Sequence, residues 1–97
     1  MDSGSDIIDW LIKHREELQS RYSVEQIGLF GSWVRGDMTS SSDIDILVQL
    51  NERSFDHYMD LKLLLEDTFG RKVDLVMESA LKPRLREYIL NEVKYAA

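Results

Sequence analysis

The chain contains no cysteine. That excludes disulfides and thiolate metal sites, and it is compatible with a reducing compartment such as the cytoplasm. Histidine is nearly as scarce. His14 and His57 lie on charged helical stretches where no second His, Cys or Glu stands out at ligand spacing, so both read as surface residues and no zinc site is expected. No window approaches the roughly 18 consecutive apolar residues of a membrane span. The opening MDSGSD has neither a basic nor an apolar region, so a soluble protein without a secretory leader is expected. Positive charge is in deficit, with 12 Lys and Arg against 18 Asp and Glu and a net charge of -6. Such a surface repels phosphate backbones, which argues against nucleic acid as the main partner. The basic clusters are Arg71 with Lys72, and Lys82 with Arg84 and Arg86. Proline occurs once, no linker or repeat divides the chain, and only Ser40 to Ser42 is of low complexity. Residues 1–97 are expected to form one domain.

What is present is a regular alternation of elements. From Asp6, a candidate N-cap, Ile8, Leu11, Ile12, Arg15 and Leu18 recur at three- and four-residue steps, which predicts one amphipathic helix ending near Arg21. Ile27, Leu29 and Phe30 predict a short strand before Gly31. A second strand is expected over residues 44–50. Ser54 is placed to cap a helix carrying Phe55, Leu61, Leu64, Leu65 and Phe69 on one side, with Gly70 as its stop. Residues 72–77 predict a third strand. The last helix opens at Pro83 and carries Leu85, Tyr88, Ile89 and Val93 on a stripe expected to be buried. The expected class is α+β, in the order α-β-(short α)-β-α-β-α.

The stretch GSWVRGDMTSSSDIDILV, residues 31–48, carries the chemistry. Successive strand residues alternate faces, so Asp43 and Asp45 point the same way, with Cα atoms roughly 6.6 Å apart. Charge beside a packed sheet is costly unless something pairs with it, and two carboxylates on one side can clamp a divalent cation. Mg²⁺ takes one or two protein carboxylates and completes its shell with substrate phosphates. Gly31 and Ser32 are suited to hold such a phosphate: glycine allows close backbone approach, the hydroxyl can donate, and residues 32–36 can open a short helix. Arg35 adds a fixed positive charge for the same anion. In KVDLV, Asp74 projects opposite to Val73 and Leu75 and can meet the Asp43 and Asp45 side across the sheet. Three carboxylates can hold two ions roughly 3.5–4 Å apart, the arrangement that steadies an in-line displacement at phosphorus.

Gly31-Ser32, the Asp43-x-Asp45 pair and the later Asp74 in a V-D-L-V strand resemble the polymerase β type nucleotidyltransferase superfamily. The fuller run G-S-W-V-R-G-D and S-D-I-D-I-L-V looks like its minimal nucleotidyltransferase branch, the antitoxin halves of toxin-antitoxin pairs with HEPN ribonucleases. The resemblance spans about residues 24–95. It implies a small mixed three-stranded sheet backed by helices, with ATP as substrate, Mg²⁺ as cofactor and two ions during turnover. It further implies that Gly31 and Ser32 grip the terminal phosphates, that Asp43 and Asp45 serve both ions, and that Asp74 serves the ion activating the acceptor. Branch members adenylylate a tyrosine of their cognate toxin, which would make a HEPN toxin the partner here. The second helical domain of larger relatives has no counterpart in this sequence. Template-directed synthesis is therefore not expected, and base selection is expected to depend on the partner.

Each residue alone has a plainer use. Asp43 can be a turn residue, Gly31 and Gly36 turn glycines, Ser32 a helix cap, Arg35 and Asp37 solvated charges. Trp10, Trp33 and the four tyrosines read as core or interface groups. It is the set of Gly-Ser, D-x-D and Asp74 in order that carries the enzymatic reading. Two alternatives stay open: a module that blocks a toxin by contact alone, and a transferase acting on a small-molecule hydroxyl.

Overall fold

The computed structural model describes residues 3–51 and 55–96. Its elements are α1 (Gly4–Lys13), α2 (Arg15–Tyr22), β1 (Val24–Phe30), α3 (Ser32–Arg35), β2 (Ile44–Leu50), α4 (Phe55–Phe69), β3 (Val73–Met77), a 3-10 turn (Glu78–Ala80), α5 (Pro83–Glu92) and β4 (Lys94–Tyr95). The strands form one mixed sheet in the order β3-β2-β1-β4, with β1 antiparallel to both neighbours and β2 parallel to β3.

Alternation along the strands decides which face is dry. Ile44, Ile46 and Val48 of β2 join Ile27 and Leu29 of β1 and Val73 and Leu75 of β3 in one buried cluster. Ile7 and Leu11 of α1, Leu18 of α2, and Leu61, Leu65 and Phe69 of α4 close over that face. Fully burying each such side chain contributes about 1.5–3 kcal/mol. The stripe on α4 is narrow, and Leu63, two residues from Leu61, is 58% exposed. Glu66 of α4 ties the helix to the sheet by accepting the Val73 N–H at 3.0 Å, and the Tyr58 hydroxyl donates to the Leu75 carbonyl at 2.6 Å.

Five expectations are corrected. The first helical stretch is two helices, broken at His14, whose backbone leaves the helical region at φ -103 and ψ 16. His14 closes α1 with its own N–H on the Trp10 carbonyl, places Nδ1 2.8 Å from that oxygen, and stacks on the Trp10 ring at 4.0 Å. That ring is thus structural and half-buried. The N-cap of α1 is Ser3, whose Oγ accepts the Asp6 N–H at 3.2 Å, so Asp6 sits in the first turn, where its charge suits the helix dipole. The last helix buries no side chain: Leu85 is 51% and Tyr88 61% exposed, while Ile89 and Val93 are half-buried.

The sheet has four strands instead of three. The extra strand, β4, pairs Lys94 with Leu29 and Tyr95 with Gly28, and the Ala96 N–H extends it onto the Ile27 carbonyl at 2.9 Å. Gly28 makes this possible, since a Cβ there would stand 2.8 Å from Val93 Cγ2 and 2.9 Å from the Lys94 carbonyl oxygen. Ser54 and the Phe55 side chain, expected to open α4, lie outside the described residues.

Candidate active site

The C-terminal end of β1 and the N-terminal ends of β2 and β3 meet at one edge of the sheet, and every residue singled out for chemistry lies there. Phe30 faces Asp45 across β1 and β2, and Asp45 faces Asp74 across β2 and β3. Asp43 lies just before β2 and is exposed, as is Asp74, whereas Asp45 is half-buried.

After Phe30 the chain turns sharply at Gly31, with φ 78 and ψ -153. That region is essentially restricted to glycine. Space demands glycine as well, because a Cβ on Gly31 would fall on the Asp45 carboxylate. The turn and the D-x-D strand therefore fit together through this one missing side chain. Ser32 to Arg35 then form a single helical turn, α3, with the Val34 and Arg35 N–H groups donating to the Gly31 carbonyl at 3.0 and 3.1 Å. Trp33 of α3 is buried, its backbone carbonyl lies where a Cβ on Gly4 would stand, and the Arg71 guanidinium lies 5.1 Å above its ring. Trp33 is thus a core residue, as its sequence context suggested.

The serine-rich loop before Asp43 is held from within and from the turn between α4 and β3. Ser42 Oγ accepts the Thr39 N–H at 2.8 Å, and Arg71 Nη1 donates to the Ser40 carbonyl at 2.9 Å. Asp43 borders a polar depression shared with Ser41, Gly70, Arg71 and Lys72. Arg71 and Lys72, the first basic cluster, therefore stand beside Asp43. In the second cluster Arg86 pairs with Glu78 at 3.1 Å.

Burial raises the Asp45 carboxyl to a pKa of about 6, with Asp74, Asp43 and Glu92 adding repulsion and Arg35 opposing it. A carboxyl so placed is short of positive charge. Among the described residues no three His, Cys, Asp or Glu side chains form a ready ligand set. The donor chemistry nevertheless fits a hard divalent cation: the groups are all carboxylate oxygens, on rigid strand ends, beside a turn suited to phosphate.

Arg35 is already engaged. Its Nη1 lies 3.0 and 3.1 Å from the two Glu92 oxygens, and its Nε donates to Asp37 at 3.2 Å. These bonds, Glu92 first, raise its pKa further. Glu92 also accepts the Gly31 N–H at 2.6 Å. Glu92 is not among the residues the motif marks. The signal for it is electrostatic: an acid closing a helix whose last turn holds no basic residue opposes the helix dipole and needs a partner elsewhere.

Residues 11–96 match the nucleotidyltransferase domain family. The chain is 44% identical to the protein adenylyltransferase MntA of Thermococcus cleftensis, over 88% of this chain and 87% of the relative. A relative from Methanocaldococcus jannaschii, whose name carries the same activity provisionally, is 38% identical over 98% of this chain and 99% of its own. A solved structure described provisionally as a minimal nucleotidyltransferase superposes with a TM-score of 0.79 at 34% identity, covering 96% of both chains. The fold also matches that of a toxin-antitoxin crystal structure with AMP-PNP, at a TM-score of 0.71 and 24% identity over 89% of this chain and 72% of the other. With the Gly-Ser turn seated on the first aspartate strand and the third aspartate in register beside it, the chain belongs to the nucleotidyltransferase domain family.

Proposed function

We propose that this chain is an antitoxin that transfers AMP from ATP to a tyrosine of a cognate HEPN toxin, and so silences it. The observation that carries the reading is the register pair Asp45 and Asp74, with the Gly31 backbone seated against the Asp45 carboxylate. The names of relatives, one of them a protein adenylyltransferase, and crystal structures of MntA with a toxin support the choice of acceptor class.

In this reading Gly31, Ser32 and Arg35 take the β- and γ-phosphates and Asp43, Asp45 and Asp74 hold Mg²⁺. The metal, when bound, would supply charge neutralisation at the phosphates and a lowered pKa for the acceptor hydroxyl. The chain's own part is positioning. The fixed turn aligns the triphosphate on the aspartate strands, the acceptor oxygen attacks the α-phosphorus, the bond to the β-phosphate oxygen breaks, and pyrophosphate leaves with the hydroxyl proton passing to solvent. The half-exposed apolar side chains of α5, Leu85 and Tyr88, favour direct contact with a partner as a second contribution to silencing.

Intact-mass measurement of the toxin after incubation with this chain and Mg-ATP tests the reading. Each modified hydroxyl should add one AMP, mapped to tyrosine, and Asp45→Asn should abolish the gain. Silencing without a mass change, retained in Asp43→Ala/Asp45→Ala, would leave contact alone as the mechanism. AMP appearing only on a small-molecule hydroxyl would replace the protein acceptor.

A further inference from the structure

Glu92 is placed against its own local electrostatics. It closes α5 at the negative end of the helix dipole, it lies among the charges that repel Asp45, and its side chain is only 14% exposed. What holds it is a set of anion donors. The Gly31 N–H reaches Oε1 at 2.6 Å, and the Arg35 guanidinium reaches both oxygens at 3.1 and 3.0 Å. Charge-assisted bonds of this kind are the strong ones, and a guanidinium paired with a backbone N–H is equally a donor set for a phosphate. These are two of the three residues assigned above to the nucleotide phosphates, so a phosphate and the Glu92 carboxylate compete for the same atoms.

We propose that Glu92 is a resident anion of the phosphate turn: it fills the Gly31 and Arg35 donors in the nucleotide-free protein and leaves them when a nucleotide phosphate arrives. Nucleotide entry is thereby coupled to release of the contact that ties the end of α5 to the turn. This rests on the nucleotide reading of the site. It differs from a purely architectural ion pair in the sign of its effect, because removing a competitor strengthens binding whereas removing a brace weakens it.

Calorimetry of the intact chain and of Glu92→Gln, with Mg-ATP and separately with tripolyphosphate, tests the sign. The amide keeps an oxygen for the Gly31 N–H but offers Arg35 no charge. Both ligands should bind about tenfold more tightly to the variant, the factor expected if the donors are free about a tenth of the time in the parent. Equal or weaker binding of both ligands by folded Glu92→Gln would overturn the proposal. Should that variant not fold, hydrogen exchange on the parent decides. Saturation with Mg-AMP-PNP should speed exchange of amides in residues 89–96, and unchanged or slower exchange there sinks the resident-anion idea. Tripolyphosphate bound more tightly by the variant, with Mg-ATP bound by neither chain, removes the nucleotide reading alone. If neither chain binds either ligand, both readings fall.

Discussion

Asp45 on β2 and Asp74 on β3 stand directly opposite one another in parallel strands. Burial of Asp45 disfavours its charged form, and repulsion from Asp74 and Asp43 adds to this, so its carboxyl titrates near a pKa of about 6 against an ordinary 3.8. The folded state therefore holds a proton that the unfolded chain gives up earlier. A raised folded pKa contributes stability that is present in full below the unfolded value and is lost as pH rises through the folded one. In cation-free buffer the Asp45 contribution should fade between about pH 4 and pH 6. Asp45→Asn should then melt higher than the parent at pH 7.5 and equal to it near pH 4. Because the group is half-exposed, solvent screening reduces the gain to the order of 1 kcal/mol, or roughly 4–8 °C in a domain of this size. Thermal melts in a chelator at both pH values check this, and a higher melting temperature for the parent at pH 7.5 would contradict it.

Gly31 and Gly36 flank α3, and both have positive φ, at 78 and 85. They should not respond alike to alanine. Gly36 has nothing within 4 Å of its virtual Cβ, whereas that of Gly31 falls on Asp45. Gly36→Ala should cost about 1–2 kcal/mol, the left-handed backbone penalty alone. Gly31→Ala should cost more than that and should also abolish nucleotide binding, because relief of the clash moves Asp45. Urea denaturation and calorimetry on the two variants separate the effects.

The legible part of the site was the part written as local pattern. Ile44, Ile46 and Val48 alternate with Asp45, so the strand and the facing of its carboxylate follow from period two, and Asp74 follows in the same way between Val73 and Leu75. The Gly31 turn is legible because its backbone can be met by glycine alone. What escaped the pattern depends on chain segments distant in sequence. The two-residue β4 has no periodicity and exists because Gly28 admits the Lys94 backbone. The stripe on α5 has helical spacing, yet Leu85 and Tyr88 stay largely exposed, so periodicity announced a face without its fate. Glu92 pairs with Arg35 across 57 residues, which no local rule reaches.

Leu61 and Leu63 offer a test of how α4 is seated. The two leucines are chemically identical and two residues apart, but Leu61 is fully buried in the core cluster while Leu63 is 58% exposed. Leu61→Ala should cost about 2–5 kcal/mol through lost transfer energy and a residual cavity, and Leu63→Ala should stay within about 0.5 kcal/mol. Comparable losses at the two positions in chemical denaturation would mean that α4 is rotated about its axis.

Asp74 should separate binding from transfer. It is exposed, and it flanks Asp45 on the side away from the Gly31 turn, since Asp45 lies between Phe30 on β1 and Asp74 on β3. In the proposed reading, a phosphate on Gly31, Ser32 and Arg35 would be served from one side of Asp45, and the acceptor hydroxyl is expected on the other. Asp74→Asn should bind Mg-ATP within about threefold of the parent, a change of under 1 kcal/mol, while single-turnover transfer to the partner falls by at least about a hundredfold, the scale of losing one preorganised electrostatic group. Asp43→Asn and Asp45→Asn should lose both. The aspartamide variants also make repulsion distinguishable from catalysis, because Asp74→Asn removes a charge that destabilises Asp45 and should raise the melting temperature even as transfer fails. A stabilised Asp74→Asn protein with parental single-turnover rates would assign Asp74 to electrostatics of the fold and take it out of the reaction.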